Sequence, residues 1–223
     1  MSGAGPQALV FDLDGTLIDS APDICAMANA LLAEEGIDRV SLAEARGFVG
    51  AGADAFVRRM RAARGIPEAD HARLLARFLE LYEGAVAHSV IYPGVLDALT
   101  LFAAKGHALA VCTNKPIRPT HIVLDHFEMR GRFGAVIGGD TLPVRKPDPA
   151  PIHAAFAALG AETGLYVGDS EVDADAAARA GVPFLLFTEG YRKTPVAEMP
   201  HDAAFSHWDE LPALIERLTV RVA

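Results

Sequence analysis

The stretch ALVFDLDGTLIDS, residues 8–20, places two carboxylates two residues apart directly behind an apolar run. The run, residues 8–11, is typical of a buried strand. Burying an unpaired carboxylate costs several kcal/mol, so Asp12 and Asp14 need compensation at the end of such a strand. A bound cation, a lysine from elsewhere in the chain and solvent are the three candidates.

The composition is that of a globular protein with an acidic surface. The chain has 223 residues, enough for one large domain or for a domain with an insertion, and its net charge is −9. This charge argues against a broad basic face for nucleic acid or for an anionic membrane, so a phosphorylated ligand needs local positive charge. Cys25 and Cys112 are the only cysteines, which indicates a reducing cytoplasm. The sequence shows no signal peptide and no apolar stretch long enough to span a membrane, so we expect a soluble, cytoplasmic protein. We expect it to be a monomer or a homodimer.

Residues 20–88 have the pattern of helices and show no convincing strand. Apolar residues recur there at helical spacing, first at Ile24, Met27, Ala28, Leu31 and Leu32. Ser20 is the predicted N-cap of the first helix. Further helices are predicted around residues 42–46, 54–64 and 72–87. This block is therefore predicted to be an all-helical cap domain inserted behind the first strand.

From residue 91 onward, predicted strands alternate with predicted helices. The strands are residues 108–112, 135–137, 164–167 and 183–187, and the helices are 95–104, 119–127, 150–159, 172–180 and 208–218. This alternation predicts an α/β core with a doubly wound, Rossmann-like parallel sheet, formed by residues 1–19 and 89–223. Such a sheet binds its ligand beyond the carboxyl ends of its strands.

The residues that follow the predicted strands are suited to phosphoryl chemistry. They are Asp12 and Asp14 after the first strand, Thr113 and Asn114 after the second, Lys146 after the third, and Asp169 and Asp173 after the fourth. A parallel sheet gathers these groups at one edge. Carboxylates together with hydroxyl, amide and ammonium donors indicate a magnesium and phosphoryl site.

Four short motifs in this order carry a resemblance to a known family. They are DLDGTLIDS at residues 12–20 within the opening stretch, TN at 113–114, the lysine of RKP at 146, and GDSEVD at 168–173. The sequence resembles phosphatases of the haloacid dehalogenase superfamily, a Mg²⁺-dependent group, over nearly the whole chain. A single motif of this kind is moderately specific, whereas four in order with this spacing are highly specific.

The resemblance implies a role for each of the catalytic residues. Asp12 attacks phosphorus and becomes an aspartyl phosphate, while Asp14 protonates the leaving oxygen and later takes a proton from water. Thr113 and the amide of Asn114 hold phosphoryl oxygens. Lys146 offsets the charge of Asp12 and of the phosphoryl group.

The resemblance also implies a metal site and therefore one answer to the opening question. Mg²⁺ is bound by Asp12, by Asp169 and by the backbone carbonyl of Asp14. Asp173 orients these ligands from behind. The two aspartates of the opening stretch are then held by metal and lysine.

Within the superfamily, the chain is similar to phosphoglycolate phosphatases. The segments concerned are SAPDI at residues 20–24, FVGAGA at 48–53, CTNKP at 112–116 and GGDTLP at 138–143. This similarity implies 2-phosphoglycolate as the substrate. Two alternatives stay open: a related phosphatase that acts on nucleotides, pyrophosphate or sugar phosphates, and a hexose-phosphate mutase.

A substrate with a carboxylate needs positive potential in the cap. Arg46 and the glycine-rich turn with Gly50 and Gly52 are candidates for it. Equally, Arg46 could pair with Glu44 or with a neighbouring helix, and the glycines could simply bound a helix.

Two other classes fit the sequence less well. Response-regulator receiver domains also cluster carboxylates, a hydroxyl and a lysine around a phosphoacceptor aspartate, but they lack the helical insertion and carry the acceptor on a middle strand. A dehalogenase would not need Asp14 or Mg²⁺. Both alternatives are therefore disfavoured.

Overall fold

A parallel six-stranded sheet forms the centre of the molecule. The computed structural model describes residues 7–82 and 85–222. Predictions that fall on residues 1–6, 83–84 and 223 lie outside this range. The strands are β1 (Ala8–Phe11), β2 (Ile18–Asp19), β3 (Val90–Ile91), β4 (Ala108–Cys112), β5 (Ala135–Ile137), β6 (Leu165–Gly168), β7 (Phe184–Phe187) and β8 (Ala203–Phe205). The sheet order is β5-β4-β1-β6-β7-β8, and every pairing within it is parallel.

Nine helices are described along the same residues. They are α1 (Ala21–Glu34), α2 (Leu42–Phe48), α3 (Ala53–Ala63), α4 (His71–Tyr82), α5 (Val95–Ala104), α6 (Ile117–His126), α7 (Ala150–Ala158), α8 (Glu171–Ala180) and α9 (Leu211–Val222). None of them combines the length and the apolar character that a membrane crossing within the described residues would require.

The first strand lies in the middle of the sheet and is buried on both faces. It pairs with β4 on one side and with β6 on the other. Leu9 and Phe11 pack into one hydrophobic cluster that also contains residues of α5 and α9, whereas Ala8 and Val10 pack into a second cluster with residues of α7 and α8. A strand covered on both faces is apolar at every position, and the predicted doubly wound sheet is confirmed.

The four helices between β2 and β3 have a hydrophobic core of their own. Phe56 of α3 stacks on Phe78 of α4 with ring centroids 5.1 Å apart, and both are buried with residues of α1 such as Leu31. α2 begins with a capping box between Ser41 and Glu44, which satisfies backbone donors at its first turn. Their treatment as a separate cap over residues 20–88 stays a prediction.

A short antiparallel ribbon of β2 and β3 connects these helices to the sheet. Ile18 pairs with Ile91 and Asp19 with Val90, so the chain leaves and returns at adjacent positions. The carboxylate of Asp23, on the first turn of α1, also accepts hydrogen bonds from the returning backbone at His88 and Ser89. The sequence analysis did not predict this ribbon, because two residues per strand show no periodicity.

Several predicted boundaries were wrong. The helix predicted over residues 72–87 ends at Tyr82, and residues 85–89 are not helical. Ser20 does occupy the cap position of α1, although its hydroxyl makes no capping hydrogen bond. The edge strand β8 was missed, since Ala203 and Ala204 are only partly buried and carry little apolar signal.

Candidate active site

The carboxyl ends of β1, β4 and β6 bring the predicted site residues to one edge of the sheet. Asp12 follows β1 immediately, and the chain then turns at Gly15, whose φ is +90°. A side chain there would be strained, and its Cβ would lie 2.5 Å from Oδ2 of Asp169. Glycine is therefore required for the first turn to approach the aspartate that follows β6.

Asp12, Asp169 and Asp173 form a buried acidic cluster. Their nearest carboxylate oxygens all lie within 4.8 Å of one another. Asp169 is fixed by the hydroxyl of Thr16 at 2.8 Å and by the backbone N–H of Tyr191 at 2.6 Å. Three buried carboxylates at this spacing could hold a metal ion.

Lys146 lies between two members of this cluster. Its Nζ is 3.0 Å from Oδ1 of Asp12 and 2.7 Å from Oδ1 of Asp173. Asp173 is also bound by the hydroxyls of Tyr166 at 2.8 Å and Ser170 at 2.6 Å. Its oxygens are thus occupied by protein donors, which agrees with the predicted supporting position behind the metal ligands.

The charges of the cluster are only partly balanced by protein groups. Burial raises the pKa of Asp12 to about 7 in spite of Lys146. Burial and the charge of Asp173 raise the pKa of Asp169 well above its usual range. Burial opposes the charge of Lys146, but the charges of Asp12 and Asp173 outweigh it and raise the pKa of that ammonium.

One oxygen of Asp12 is suited to a further cation. Lys146 forms an ion pair with Oδ1, but the angle is not that of a hydrogen bond, so this buried oxygen has no hydrogen-bond partner among the described residues. Buried polar atoms are rarely left in this way unless an ion or water completes them. The donor set therefore fits a bound divalent cation.

Asp14 has a different lysine partner, which the sequence analysis missed. Nζ of Lys115 lies 3.0 Å and 3.3 Å from the two carboxylate oxygens of Asp14, and both residues are buried. The same Nζ lies 4.6 Å from the ring centroid of Tyr82. Lys115 directly follows the TN motif, and this adjacency was the available signal.

Thr113 and Asn114 lie at the end of β4 as predicted, and both are buried. The hydroxyl of Thr113 accepts a hydrogen bond from the backbone N–H of Lys115 at 3.2 Å. The side-chain amide of Asn114 donates to the carbonyl of Lys146 at 2.9 Å and to that of Gly50 at 3.2 Å. Asn114 thus links the edge of the sheet to the loop between α2 and α3.

A small cavity of about 30 Å³ lies between this edge and the helices above it. The lining residues that carry polar groups of the predicted site are Asp12, Asp14, Thr113, Asn114 and Lys115. Gly50 and Gly52 line the opposite wall together with Tyr82. The remaining residues of the predicted site lie next to Asp12 but outside the cavity lining; they are Lys146, Asp169 and Asp173.

Arg46 is a predicted site residue that belongs neither to the cavity lining nor to the acidic cluster with Lys146. Its Nη2 is 2.7 Å from Oδ2 of Asp19, and its side chain is 47% exposed. Glu44, one of the alternative partners considered from the sequence, instead pairs with Arg64. Arg46 therefore stabilises the junction of α2 with the ribbon.

Tyr191 is a second residue that sequence reasoning missed. Its hydroxyl accepts hydrogen bonds from the backbone N–H groups of Ser20 and Ala21 and donates to Asp19 at 2.7 Å. Its own N–H holds Asp169. Nothing in the sequence around Tyr191 pointed to this position.

Comparisons with known proteins agree with this geometry. The sequence model of the haloacid dehalogenase-like hydrolases matches residues 9–187. A phosphoglycolate phosphatase of Cereibacter sphaeroides is 51% identical over 213 residues, which cover 94% of this chain and 98% of the relative. One of Rhodobacter capsulatus is 42% identical and covers 95% of this chain and 98% of the relative. The crystal structure of a predicted phosphoglycolate phosphatase from Haemophilus somnus superposes with a TM-score of 0.86 at 30% identity, covering 94% of this chain and 97% of that one.

Proposed function

Because this chain belongs to the haloacid dehalogenase-like hydrolases, we propose that it hydrolyses the phosphomonoester 2-phosphoglycolate through an aspartyl phosphate on Asp12. The observation that carries this proposal is the position of Asp12 in the wall of a small cavity, with Asp14 and Thr113 beside it. Lys146 lies 3.0 Å from its carboxylate. A nucleophile, a proton shuttle and phosphoryl ligands are thereby within reach of one small substrate.

In the first step, a carboxylate oxygen of Asp12 attacks phosphorus, and the bond between phosphorus and the glycolate oxygen breaks. Asp14, as the general acid, gives a proton to that oxygen, so glycolate leaves as an alcohol. Lys146 stabilises the charge around Asp12 during the attack. The phosphoryl group is then bound to Asp12 as a mixed anhydride.

In the second step, water attacks the phosphorus of the aspartyl phosphate and Asp14 takes its proton. The bond between phosphorus and the Asp12 oxygen breaks, inorganic phosphate leaves, and the carboxylate of Asp12 is restored. Thr113 and the backbone amide of Asn114 bind phosphoryl oxygens in both steps. One carboxyl group thus serves as acid and then as base, because the two steps move the proton in opposite directions.

We assign the cation to Mg²⁺, held by Asp12, Asp169 and the backbone carbonyl of Asp14. Mg²⁺ prefers a few carboxylate oxygens together with water and substrate phosphate. When bound, it neutralises the negative charge of the phosphoryl group and of the surrounding carboxylates. Asp173 takes no ligand position in this proposal and instead holds Lys146.

The substrate assignment is supported by the relatives, which are phosphoglycolate phosphatases. The cavity is small, about 30 Å³, and Asp12, Asp14 and Thr113 lie in its wall. A cytoplasmic location and a monomer or homodimer belong to the same proposal. The two cysteines, Cys25 and Cys112, are not joined in a disulfide.

The test is a panel of phosphate compounds assayed with Mg²⁺: 2-phosphoglycolate, ethyl phosphate, AMP, glucose 6-phosphate and pyrophosphate. We expect the highest kcat/KM with 2-phosphoglycolate, at least about tenfold above the others, because one additional charged contact contributes that much. Preparations of Asp12→Asn serve as the control for contaminating phosphatases. A preference for AMP, pyrophosphate or glucose 6-phosphate would refute the substrate and leave the hydrolase assignment intact.

A further inference from the structure

The active-site cavity is lined by more negatively charged than positively charged residues. Among the described lining residues, three carry charge: Asp12 and Asp14, which belong to the chemistry, and Lys115. A substrate with a second anionic group needs a cation within contact distance, since the chain as a whole has a charge of −9. Within that part of the chain, Lys115 is the one cation of the cavity wall.

The ammonium of Lys115 has capacity for a second acceptor. Its side chain is 2% exposed, and its contacts to Asp14 are 3.0 Å and 3.3 Å long. An ammonium has three N–H donors; the two oxygens of Asp14 can share one of them, and the hydroxyl of Tyr82 interacts with a second. A substrate carboxylate beside Asp14 could therefore bind the same nitrogen.

The position of Tyr82 strengthens this site. Its ring, at the end of α4, lies 4.6 Å from Nζ of Lys115 and closes the cavity from above. The ring excludes water from the ammonium, and charge pairs are stronger where water is excluded. The helices over the sheet thus complete the anion site without supplying its charge.

Other nearby cations are engaged elsewhere. Arg46 pairs with Asp19, and Arg59 donates to the backbone carbonyls of Phe48 and Val49. Lys146 is bound to Asp12 and Asp173. Arg145 lies beside Gly52 but lines a neighbouring cavity, so among the described residues Lys115 is the cation in the wall of the cavity that contains Asp12.

We propose that Lys115 is the specificity-determining residue of this enzyme and binds the carboxylate of the substrate. This inference rests on the proposed function, because it presumes that the substrate carries a carboxylate beside its phosphoester. The loop with Gly50 and Gly52 shapes the wall next to it, and Arg46 has no part in recognition. Substrates of similar size without a carboxylate bind through the phosphoryl group alone.

The test compares two substrates of matched size in variants of one protein. Ethyl phosphate has the length of 2-phosphoglycolate but no carboxylate, so the ratio of their kcat/KM values isolates the carboxylate contact. We expect Lys115→Met to reduce this ratio by about 10- to 100-fold, the range for a lost charged hydrogen bond. Any effect of the variant that acts through Asp14 is shared by both substrates and cancels in the ratio.

Lys193→Met is the matched control, because it removes the same charge from a lysine outside the cavity lining. Lys115→Arg, which keeps the charge, should retain most of the ratio. A second measurement avoids turnover: calorimetric binding of 3-phosphonopropionate and propylphosphonate, which match the two substrates but cannot be hydrolysed. Wild-type protein should prefer 3-phosphonopropionate, and Lys115→Met should bind both equally.

The outcomes separate this inference from the proposed function. If the wild-type protein prefers 2-phosphoglycolate and folded Lys115→Met keeps that preference, the role of Lys115 is wrong while the substrate stands. Loss of the preference in Arg46→Met instead would also overturn it. If the wild-type protein shows no preference for 2-phosphoglycolate or 3-phosphonopropionate, the proposed substrate fails and this inference fails with it. Should Lys115→Met not fold, the same criteria apply to Lys115→Gln.

Discussion

Asp12 and Asp14 lie two residues apart but have different surroundings. Asp12 forms an ion pair with Lys146 beside two further carboxylates, whereas Asp14 pairs with Lys115 under the ring of Tyr82. The first environment suits a carboxylate that is neutralised by cations while it attacks. In the proposed mechanism Asp14 exchanges a proton with the leaving oxygen, and Lys115 holds its carboxylate in place.

The Asp12→Asn variant should lose turnover by several orders of magnitude. The amide keeps the shape of the side chain but cannot form the aspartyl phosphate. Phosphate release from 2-phosphoglycolate measures the loss. Asp175→Asn is the matched control, because Asp175 is an exposed aspartate paired with Arg179. Comparable activity in Asp12→Asn and the control would exclude the covalent mechanism.

Asp14→Asn should affect substrates according to their leaving groups. An alkyl phosphate needs its leaving oxygen protonated, whereas the oxygen of 4-nitrophenyl phosphate departs without a proton. We therefore expect single-turnover formation of the aspartyl phosphate to slow much more with ethyl phosphate than with the aryl ester. Equal slowing with both substrates would count against Asp14 as the acid.

The sequence predicted the residues that follow strands, because a parallel sheet forces its strand ends together. Asp12, Thr113 and Asp169 are of this kind. Lys115 and Tyr191 were missed for a physical reason: their roles depend on side-chain direction and on contacts with α4 and α1, which strand periodicity does not encode. The predicted role of Arg46 in binding substrate is untested, although its ion pair with Asp19 counts against it.

At the scale of elements, the loop between α2 and α3 is where the helices contact the edge of the sheet. Gly50 accepts a hydrogen bond from Asn114, and Gly52 has φ of +87°. A Cβ on Gly52 would lie 3.0 Å from Nη1 of Arg145 and 3.2 Å from the backbone oxygen of Asn114. The approach of this loop to the sheet therefore depends on the missing side chain.

Gly52→Ala should lower kcat/KM for 2-phosphoglycolate by about tenfold, since the backbone at φ +87° and ψ 173° is one that essentially only glycine adopts, at a cost of about 1–3 kcal/mol for a side chain, and the added Cβ also contacts the sheet edge. Steady-state kinetics measures the effect of the substitution on activity, and the melting temperature measures its effect on stability. Gly65→Ala is the control: Gly65 also has positive φ, at +66°, but no atom lies within 4 Å of the added Cβ. Equal losses of activity in both variants would show that contact with the sheet edge is irrelevant.

Long elements were easier to predict than short ones. The bounds of α5 and β4 agree with the predicted ones, because their apolar pattern extends over several residues. The ribbon of β2 and β3 was missed because each strand has only two residues and is held by its partner. The excess length of the helix predicted over 72–87 arose because the apolar pattern continues past Tyr82, whereas residues 85–89 are not helical.

For the molecule as a whole, the acidic cluster links stability to the metal. Mg²⁺ at 100 times its dissociation constant should raise the melting temperature by about 5–10 °C, because binding to the folded state alone stabilises it by about 2.7 kcal/mol. Thermal denaturation with Mg²⁺ or with a chelator measures the shift. Asp169→Asn should reduce the shift, and Asp175→Asn should retain it. No shift in the wild-type protein would contradict the metal site.

The metal effect should also depend on pH. Burial raises the pKa of Asp12 to about 7 in the metal-free protein, above the value of about 3.9 for a free aspartate. Its contribution to stability is therefore complete below about pH 4 and is lost as pH rises through about 7. Bound Mg²⁺ compensates the charge of the ionised carboxylate and so offsets this loss of stability. The increase in melting temperature on adding Mg²⁺ should therefore be larger at pH 8 than at pH 5.5. A larger shift at pH 5.5 would contradict this assignment.

The central place of β1 in the sheet has a consequence for biosynthesis. This strand leaves the ribosome before its two neighbours, which begin at Ala108 and Leu165. At about 5–20 residues per second, the nascent chain carries β1 with both edges unpaired for at least about 5 s before β4 is made. Translation arrest before Leu165 would leave one edge of an apolar strand open, a template for aggregation. Asp12 is thus synthesised well before Lys146 and Asp169, which lie beside it in the folded protein.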